Sequence, residues 1–415
     1  MIHSQNVTIR RLTALLLAAL LAGCGKSSNP TPSLTIAVNA GVEGTALKTA
    51  AQEWGRQNAT RIEVVELPYN NLFEKLLMDL TSRTGSYDVV MMDDPWFPKL
   101  VEGGNLTPLP EDPAGDFIRS CLDVCRHPYQ AGKYYALPYV GNSQLFFYRK
   151  DLFDKYHLAP PDTWDQVLTA AKTIQAKEKM YGYVARAAPG NAVVTDFMPI
   201  LWAFGGNILN ADGDPAVNTV NGVAALRLMI ELGKYSPPGY AGFNADEVSA
   251  HLLQATAPMS INWPAWIAAM DDPARSKVVG KIDFAQVPSA MKKGQAELGT
   301  WLLGVPSGSR NADRAFQFIT WATAPEQMKT AALRGNPPTR RSVFESADLK
   351  QKFRAFPAQL ASLETARPRP RTPLWNEIEN AFGIYLSKAN AGSMTPQEAM
   401  KRAQDEIEAI LRRSQ

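Results

Sequence analysis

Residues 87–109 read YDVVMMDDPWFPKLVEGGNLTPL, a segment in which a strand passes directly into a helix. Residues 87–92 predict the strand, and Pro95 suits the first turn of the helix that follows. Gly103 and Gly104 then end that helix. The segment is therefore typical of one strand-to-helix crossover in an α/β domain.

The chain on either side continues this alternation of short strands and longer helices. The predicted elements are strands over residues 34–38, 61–67, 134–138, 144–148 and 301–305, and helices over residues 45–56, 71–82 and 396–412. Residues 144–148 enter a second, helix-rich unit, in which a capping box at Thr163 and Gln166 begins a helix, and residues 301–305 return to the first unit. A chain of 415 residues is expected to form two such globular units.

Three segments, in this order and spacing, resemble family 1 extracellular solute-binding proteins of bacterial ABC importers. They are residues 87–109, residues 134–158 with the sequence YYALPYVGNSQLFFYRKDLFDKYHL, and residues 335–344 with the sequence GNPPTRRSVF. The second is similar to the family's first crossing between lobes, and the third is similar to its return crossing.

The resemblance implies an α/β, two-lobed periplasmic-binding-protein-like fold of the class II type, with the ligand cleft between the lobes. It implies that residues 34–139 and 300–335 form lobe 1. It assigns residues 140–299 and 345–415 to lobe 2.

The first 33 residues differ from the rest of the chain. Arg10 and Arg11 precede a short apolar run, so residues 1–23 are typical of a signal peptide. The run ends in Leu21-Ala22-Gly23-Cys24, which resembles the bacterial lipobox, and residues 24–33 then form a polar tether. We expect acylation of Cys24 and a lipid-anchored protein on the periplasmic or other extracytoplasmic face of the cell envelope. The alternative is an ordinary secretory signal with an incidental cysteine.

The charge balance excludes one class of partner. Residues 1–23 contain two arginines and no acid, so the mature chain would carry 41 basic and 40 acidic residues out of the 43 and 40 of the full sequence, a net charge of +1. A nucleic-acid partner is therefore not expected. We expect a monomer without a cofactor.

Two cysteines remain after Cys24. The spacing of Cys121 and Cys125 is compatible with a small disulfide or with two thiols on one helical face. It favours no metal site, because two cysteines with one nearby histidine, His127, supply too few ligands.

Sugars present hydroxyl groups at their rims and apolar C–H faces, so a sugar site combines aromatic rings with carboxylates, amides and guanidinium groups. Nine residues fit this chemistry and lie where strands end or lobes cross. They are Glu43, Asp94, Trp96, Tyr139, Asn142, Trp202, Trp263, Trp301 and Arg371.

Three of these candidates follow strands directly. Asp94 and Trp96 flank Pro95, where a hydroxyl acceptor and a stacking ring would face the cleft; their structural alternatives are a helix N-cap and a ring packed on its own helix. Trp263 repeats this geometry before Pro264. Glu43 occupies the turn after the first strand, where carboxylates contact ligand in many members of the family that this chain resembles; a solvated loop glutamate is the alternative.

The other candidates lie at crossings or breaks. Tyr139 and Asn142 lie at the first crossing, with hinge packing as the alternative. Trp202 precedes a helix break that the resemblance puts beside the ligand, and a core position is its alternative. Trp301 belongs to a Gly-X-Trp pattern similar to that of sugar-binding members. Arg371 lies in the rigid segment RPRPRTP, which is a ligand contact or a surface linker.

These residues predict capture of a neutral sugar or polyol for an ABC permease, without catalysis. A charged solute such as glycerol phosphate is the alternative, although it would need several opposite charges. A membrane-anchored glycan hydrolase is less well supported, because the sequence contains neither a Gly-x-Ser-x-Gly nor a His-Glu-x-x-His motif.

The lipobox interpretation is tested by Cys24→Ser. Because the lipid attaches through the cysteine sulfur, this variant should lose palmitate labelling and appear as soluble protein or as unprocessed precursor. Cys121→Ser serves as the matched control and should label normally. Labelling that persists in Cys24→Ser would contradict the interpretation.

Overall fold

The computed structural model describes residues 31–414; the predicted signal peptide, Cys24 and most of the tether lie outside the described residues. The strands are β1 Ser33–Asn39, β2 Arg61–Leu67, β3 Val89–Asp93, β4 Arg126–His127, β5 Lys133–Tyr134, β6 Ala136–Val140, β7 Leu145–Arg149, β8 Met259–Asn262, β9 Ile282–Ala285 and β10 Trp301–Gly304.

The helices alternate with these strands and then dominate the C-terminal third. They are α1 Val42–Gln57, α2 Tyr69–Ser82, α3 Phe97–Glu102, α4 Arg119–Asp123, α5 Lys150–Lys155, α6 Trp164–Lys177, α7 Asn191–Ala203, α8 Val220–Gly233, α9 Ala245–Leu253, α10 Ile267–Met270, α11 Ala312–Ala322, α12 Pro325–Leu333, α13 Arg341–Glu345, α14 Ala347–Lys352, α15 Phe356–Thr365, α16 Trp375–Asn390 and α17 Pro396–Arg413. Among residues 31–414, none of them combines the length and the apolar composition needed to cross a bilayer.

Lobe 1 is built on a five-stranded sheet in the order β2-β1-β3-β10-β6. Strands β2 and β3 run parallel to β1, whereas β10 runs antiparallel to both β3 and β6. Strand β10 comes from residues far along the chain, so it returns to lobe 1 as the sequence predicts. Its insertion between β3 and β6 places Trp301 beside Asp93 in the ladder.

Lobe 2 is built on a three-stranded antiparallel sheet in the order β8-β7-β9. Helices α7, α8, α16 and α17 pack together on it, and Trp375 and Ile407 are fully buried in their shared core. The predicted capping box is present at the start of α6, where Thr163 accepts from the Gln166 amide. Strand β9 was not predicted from the sequence.

One predicted lobe boundary is wrong. Residues 345–415 were assigned to lobe 2, but Leu349, Phe356 and Leu363 are buried in the core of lobe 1. The Phe356 ring packs edge-on against Phe344, with centroids 4.9 Å apart, and this keeps α14 and α15 on lobe 1. The chain crosses to lobe 2 only after residue 365.

Three chain segments connect the lobes side by side. The Gln144 amide donates to the Glu297 carbonyl, and the Gly299 amide donates to the Asn142 carbonyl. The Arg367 amide donates to the Ala296 carbonyl, which adds the third segment to the same ribbon. The hinge is therefore a hydrogen-bonded unit of three crossings.

Cys121 and Cys125 are free and buried, so the disulfide alternative is wrong. Cys121 lies in α4 and Cys125 lies one helical turn further on. The Cys125 thiol donates to the Cys121 carbonyl at 3.5 Å, the bond expected from helical spacing. Burial raises the pKa of Cys121 to about 12, which keeps this thiol protonated.

Trp54 tests the packing of lobe 1. Its ring is buried against Phe318 with centroids 5.5 Å apart, so Trp54→Ala should lower the free energy of unfolding by roughly 3–5 kcal/mol. Trp321 packs on the same core but is only half-buried, so Trp321→Ala should cost clearly less. Denaturant melts of both variants measure the difference, and equal losses would contradict the packing described here.

Candidate ligand-binding cleft

A cavity of about 650 Å³ lies between the lobes. Lobe 1 lines it with the start of α1, the start of α2, the end of β3 and the start of β10. Lobe 2 lines it with the start of α7, the end of β8 and one face of α16. Both sheets thus direct the ends of their strands at one space, the usual location of ligand sites in α/β folds.

Aromatic rings form the wall on the side of lobe 1. The Trp96 ring lies 4.8 Å from Tyr69, 5.1 Å from Phe73 and 5.8 Å from Trp301, measured between centroids. Trp301 also packs edge-on to Tyr69 at 5.9 Å. These contacts fix each ring through its neighbours and give the cavity a rigid apolar surface.

Lobe 2 supplies a further indole from Trp263, directly after β8. A Cβ atom on Gly299 would lie 2.9 Å from the Trp263 ring, so a side chain at residue 299 would collide with it. The guanidinium of Arg186 lies 5.6 Å from the ring centroid on the same indole. Gly299 therefore allows an indole of lobe 2 to pack directly against the hinge.

Two adjacent aspartates at the end of β3 have different surroundings. Asp93 lines the cavity and accepts a hydrogen bond from the Tyr69 hydroxyl at 2.8 Å. Asp94 is fully buried beneath the cavity, because the chain turns into a 3-10 helix at this residue. Adjacent residues in this turn point in different directions, so one carboxylate faces the cavity and the other faces the interior.

Arg369 joins the cavity floor to the hinge. Its guanidinium lies 3.0 Å from Asp93, 3.2 Å from Asp94 and 3.2 Å from Glu297, and all four side chains are buried. Arg371 completes the group, because its Nη1 donates to the Asp94 carboxylate at 2.9 Å. Loss of one partner would leave a buried charge uncompensated, which costs about 3–5 kcal/mol in proteins.

Three further carboxylates line the cavity, Glu43, Glu74 and Glu379, and two of them are held by amides. Glu43 accepts from the Asn142 amide at 3.4 Å, and Glu379 accepts from the Asn191 amide at 2.9 Å. Burial raises the pKa of Glu43, and burial raises the pKa of Glu379 to about 7 against the opposing attraction of Arg369.

The cationic side chain contributed by lobe 2 is also paired. Arg186 donates from its Nε to the Asp196 carboxylate at 3.1 Å, and both residues are buried. One terminal nitrogen of Arg186 has no hydrogen-bond partner among the described residues. A ligand hydroxyl or an ordered water could complete this buried group.

The sequence of the chain matches the family of bacterial extracellular solute-binding proteins over residues 40–329. The chain belongs to that family. Its members are extracellular proteins, so this one acts outside the cytoplasm.

Three known proteins are similar to this solute-binding protein over most of its length. A probable amino-acid ABC transporter periplasmic-binding protein of Sinorhizobium fredii is 26% identical, covering 89% of this chain and 86% of that protein. A ribitol complex of an ABC transporter solute-binding protein from Agrobacterium radiobacter has a TM-score of 0.83 at 28% identity, covering 91% and 98% of the two chains. The maltose-bound MalE3 of T. maritima has a TM-score of 0.84 at 25% identity, covering 91% and 99%. These likenesses confirm the predicted two-lobed fold class.

The structure brings five of the nine predicted residues to the cleft. Glu43, Trp96, Asn142, Trp263 and Trp301 line the cavity.

The other four predicted residues do not line the cleft cavity, and in each case the physical cause is clear. Asp94 and Arg371 pair with each other beneath it, and the Tyr139 ring is fully buried in the core of lobe 1. Trp202 lies on the far side of the hinge, beneath Arg367, because α7 ends away from the cleft.

Sequence reasoning did not predict several cleft residues. They are Tyr69, Phe73, Asp93, Arg186, Arg369 and Glu379. Asp93 carried the same signal as Asp94, since either could end the strand. Tyr69 and Phe73 lie one helical turn apart at the start of α2 and could have been found by that spacing. Arg369 lies in the same RPRPRTP segment as Arg371 and carried the same signal. Nothing in the local sequence marked Arg186 or Glu379.

The raised pKa of Glu379 predicts a pH dependence of stability. The folded protein retains this proton between pH 4.5 and about 7, where the unfolded chain has lost it. The contribution of Glu379 to stability is therefore complete below pH 4.5 and declines as the pH rises through about 7, by an amount on the order of 3 kcal/mol.

Glu379→Gln removes this titration. Between pH 5 and pH 8, the free energy of unfolding should fall less in Glu379→Gln than in the wild type, as measured by denaturant melts. Glu377→Gln, an exposed position on the same helix, is the matched control and should follow the wild type. Identical pH profiles for Glu379→Gln and the wild type would contradict the prediction.

Proposed function

We propose that the chain is the substrate-binding component of an ABC importer and captures a neutral sugar or polyol between its lobes. The observation that carries this proposal is the convergence of indole rings from both lobes, Trp96 and Trp301 opposite Trp263, with carboxylates and amides around one cavity. Rings suit the apolar faces of a sugar, and carboxylates suit its hydroxyl groups. A cavity of about 650 Å³ falls within the range of small-molecule sites.

The charges of the cleft argue against an anionic solute such as glycerol phosphate. Four acids line the cavity, Glu43, Glu74, Asp93 and Glu379, against two arginines. Both arginines, Arg186 and Arg369, are already paired with buried carboxylates. A phosphate would therefore meet excess negative charge without a free cation to compensate it. The carboxylate of an amino acid would meet the same difficulty.

The ligand contacts proposed here are Glu43, Trp96, Asn142, Trp263 and Trp301, together with Asp93 and Glu379. They belong to both lobes or to the hinge, so a ligand that contacts all of them binds the closed protein best and favours closure. We also propose that the protein delivers its ligand to the permease subunits of the importer and that acylated Cys24 anchors it to the membrane. The similar proteins named as ABC transporter components support the first, and the lipobox supports the second.

A thermal-shift screen tests the ligand class. Monosaccharides, disaccharides, polyols, amino acids and glycerol phosphate are added to the protein, and calorimetry follows each positive result. A ligand that binds only the folded state raises the melting temperature. Stabilisation by a sugar or polyol supports the proposal, and stabilisation by glycerol phosphate or amino acids alone overturns it.

The same ligand separates binding from hydrolysis. An oligosaccharide incubated with the protein should be recovered intact by mass spectrometry. Cleavage products would instead support a hydrolase, since paired carboxylates in a cleft are the usual groups for glycoside cleavage.

Trp263 and Trp301 test the stacking contacts. Trp263→Ala or Trp301→Ala should weaken the affinity for the sugar identified above by roughly 1–3 kcal/mol, because each removes an aromatic surface from the cleft. Trp321→Ala removes an indole from outside the cleft and should leave the affinity unchanged. Isothermal titration calorimetry measures all three, and normal affinity in both cleft variants would contradict the assignment.

A further inference from the structure

A second cavity, of about 370 Å³, adjoins the third crossing segment of the hinge. It is lined by the loop after α7, by the loop over residues 292–295, by Thr365 at the end of α15 and by Arg367 in the third crossing segment. None of its lining residues is shared with the ligand cleft. The helix break that follows Trp202 in the sequence therefore contributes to this cavity and not to the cleft.

The charge of this cavity is opposite to that of the cleft. Lys292, Lys293 and Arg367 line it, and among its described lining residues none is acidic. Within residues 31–414, none of the three cations forms an ion pair. Three cations thus line one concave surface without an acidic partner. Their positive charges repel one another more strongly than those of cations spread over an open surface.

The Arg367 side chain is fixed by contacts with its neighbours. Its guanidinium lies over the Trp202 ring, 4.9 Å from the centroid, and one terminal nitrogen donates to the Asn207 side chain at 2.7 Å. Its backbone pairs with Ala296 and Leu298 in the hinge ribbon. Burial lowers the pKa of Arg367, the physical sign of a cation without a compensating acid. The side chain is therefore ordered in advance, and its remaining donors are free for an anion.

The turn at Gly205 and Gly206 brings the loop that carries Lys292 and Lys293 close to Arg367. Gly205 has a φ of 77°, a left-handed conformation that glycine adopts at little cost. A Cβ atom there would lie 3.8 Å from the Lys292 side chain, so the stem of this lysine runs along the bare backbone of the turn. The Lys292 amide donates to the Ala203 carbonyl and fixes the loop to the end of α7.

We propose that this cavity binds a tetrahedral oxyanion of the phosphate type. Arg367 supplies planar paired donors, and Lys292 and Lys293 supply point charges. The site adjoins the third crossing two residues before Arg369, so a bound anion would contact the hinge itself.

Equilibrium dialysis of the full chain against radiolabelled inorganic phosphate, at constant ionic strength, tests the site. We expect saturable binding of one phosphate per chain. Lys292→Gln/Lys293→Gln should weaken the affinity roughly tenfold or more, since loss of about 1.4 kcal/mol corresponds to a factor of ten. Both lysines are exposed, so this variant should fold normally. Arg367→Gln should weaken binding further.

Two control variants locate the bound anion. Lys172→Gln/Lys179→Gln removes the same charge from exposed positions of lobe 2 outside the cavity and should bind phosphate normally. Trp263→Ala alters the ligand cleft and should also bind phosphate normally. Loss of binding in Trp263→Ala would place the phosphate in the cleft and overturn the proposal. Equal losses in the two lysine pairs would reduce the effect to net charge and overturn it as well.

Competitors identify the source of the anion. Sulfate and glycerol 3-phosphate are added against labelled phosphate, and displacement by either supports a site for tetrahedral oxyanions. Displacement by sulfate alone indicates a free anion, whereas displacement by the ester indicates that a phosphorylated molecule also fits. An absence of saturable phosphate binding to the wild-type chain overturns the proposal, and it leaves sugar capture in the cleft untouched.

Discussion

The buried group around Arg369 is the interaction on which the rest of this structure depends. One guanidinium holds Asp93 and Asp94 from the edge of the lobe 1 sheet and Glu297 from a crossing segment. Each of these ionisable groups would be expensive to bury in its charged form alone, so the group is stabilised by its mutual contacts. Because Arg369 itself lies on the third crossing, the group fastens the hinge to the floor of the cleft.

The cleft takes its shape from this fastening. Asp93 is fixed by Arg369 and Tyr69, and the ladder between β3 and β10 sets Trp301 beside it. The rings of Trp96, Phe73 and Tyr69 then pack on one another and on Trp301. A rigid aromatic wall loses little conformational entropy when a ligand stacks on it, so preorganisation contributes directly to affinity.

The two cavities that adjoin the hinge carry opposite charge. The cleft concentrates carboxylates, and the second cavity concentrates cations. Arg367 and Arg369 lie on the same crossing, yet the first has no acidic partner among the described residues and the second contacts three. The two environments therefore differ in the charge of the solute that each would bury at least cost.

The sequence by itself determined the alternation of strands and helices in the first part of lobe 1, the return of residues 301–305 to lobe 1 and the capping box at Thr163. These features depend on local periodicity and on residues close together in the chain, so they could be predicted without the tertiary structure. Five of the nine predicted cleft residues line the cavity for the same reason, since strand ends and the Gly-X-Trp pattern are local signals.

Only the tertiary structure decided which neighbour of a pair faces the cleft and where distant charges meet. Asp93 and Asp94 are equivalent in sequence, and the 3-10 turn together with Arg369 and Arg371, nearly 280 residues away, separates them. The position of α14 and α15 on lobe 1 likewise depends on the contact of Phe356 with Phe344. Contacts between residues far apart in the chain decide which side chains are buried, which charges pair and why Trp202 lies outside the cleft. Local sequence patterns cannot predict such contacts.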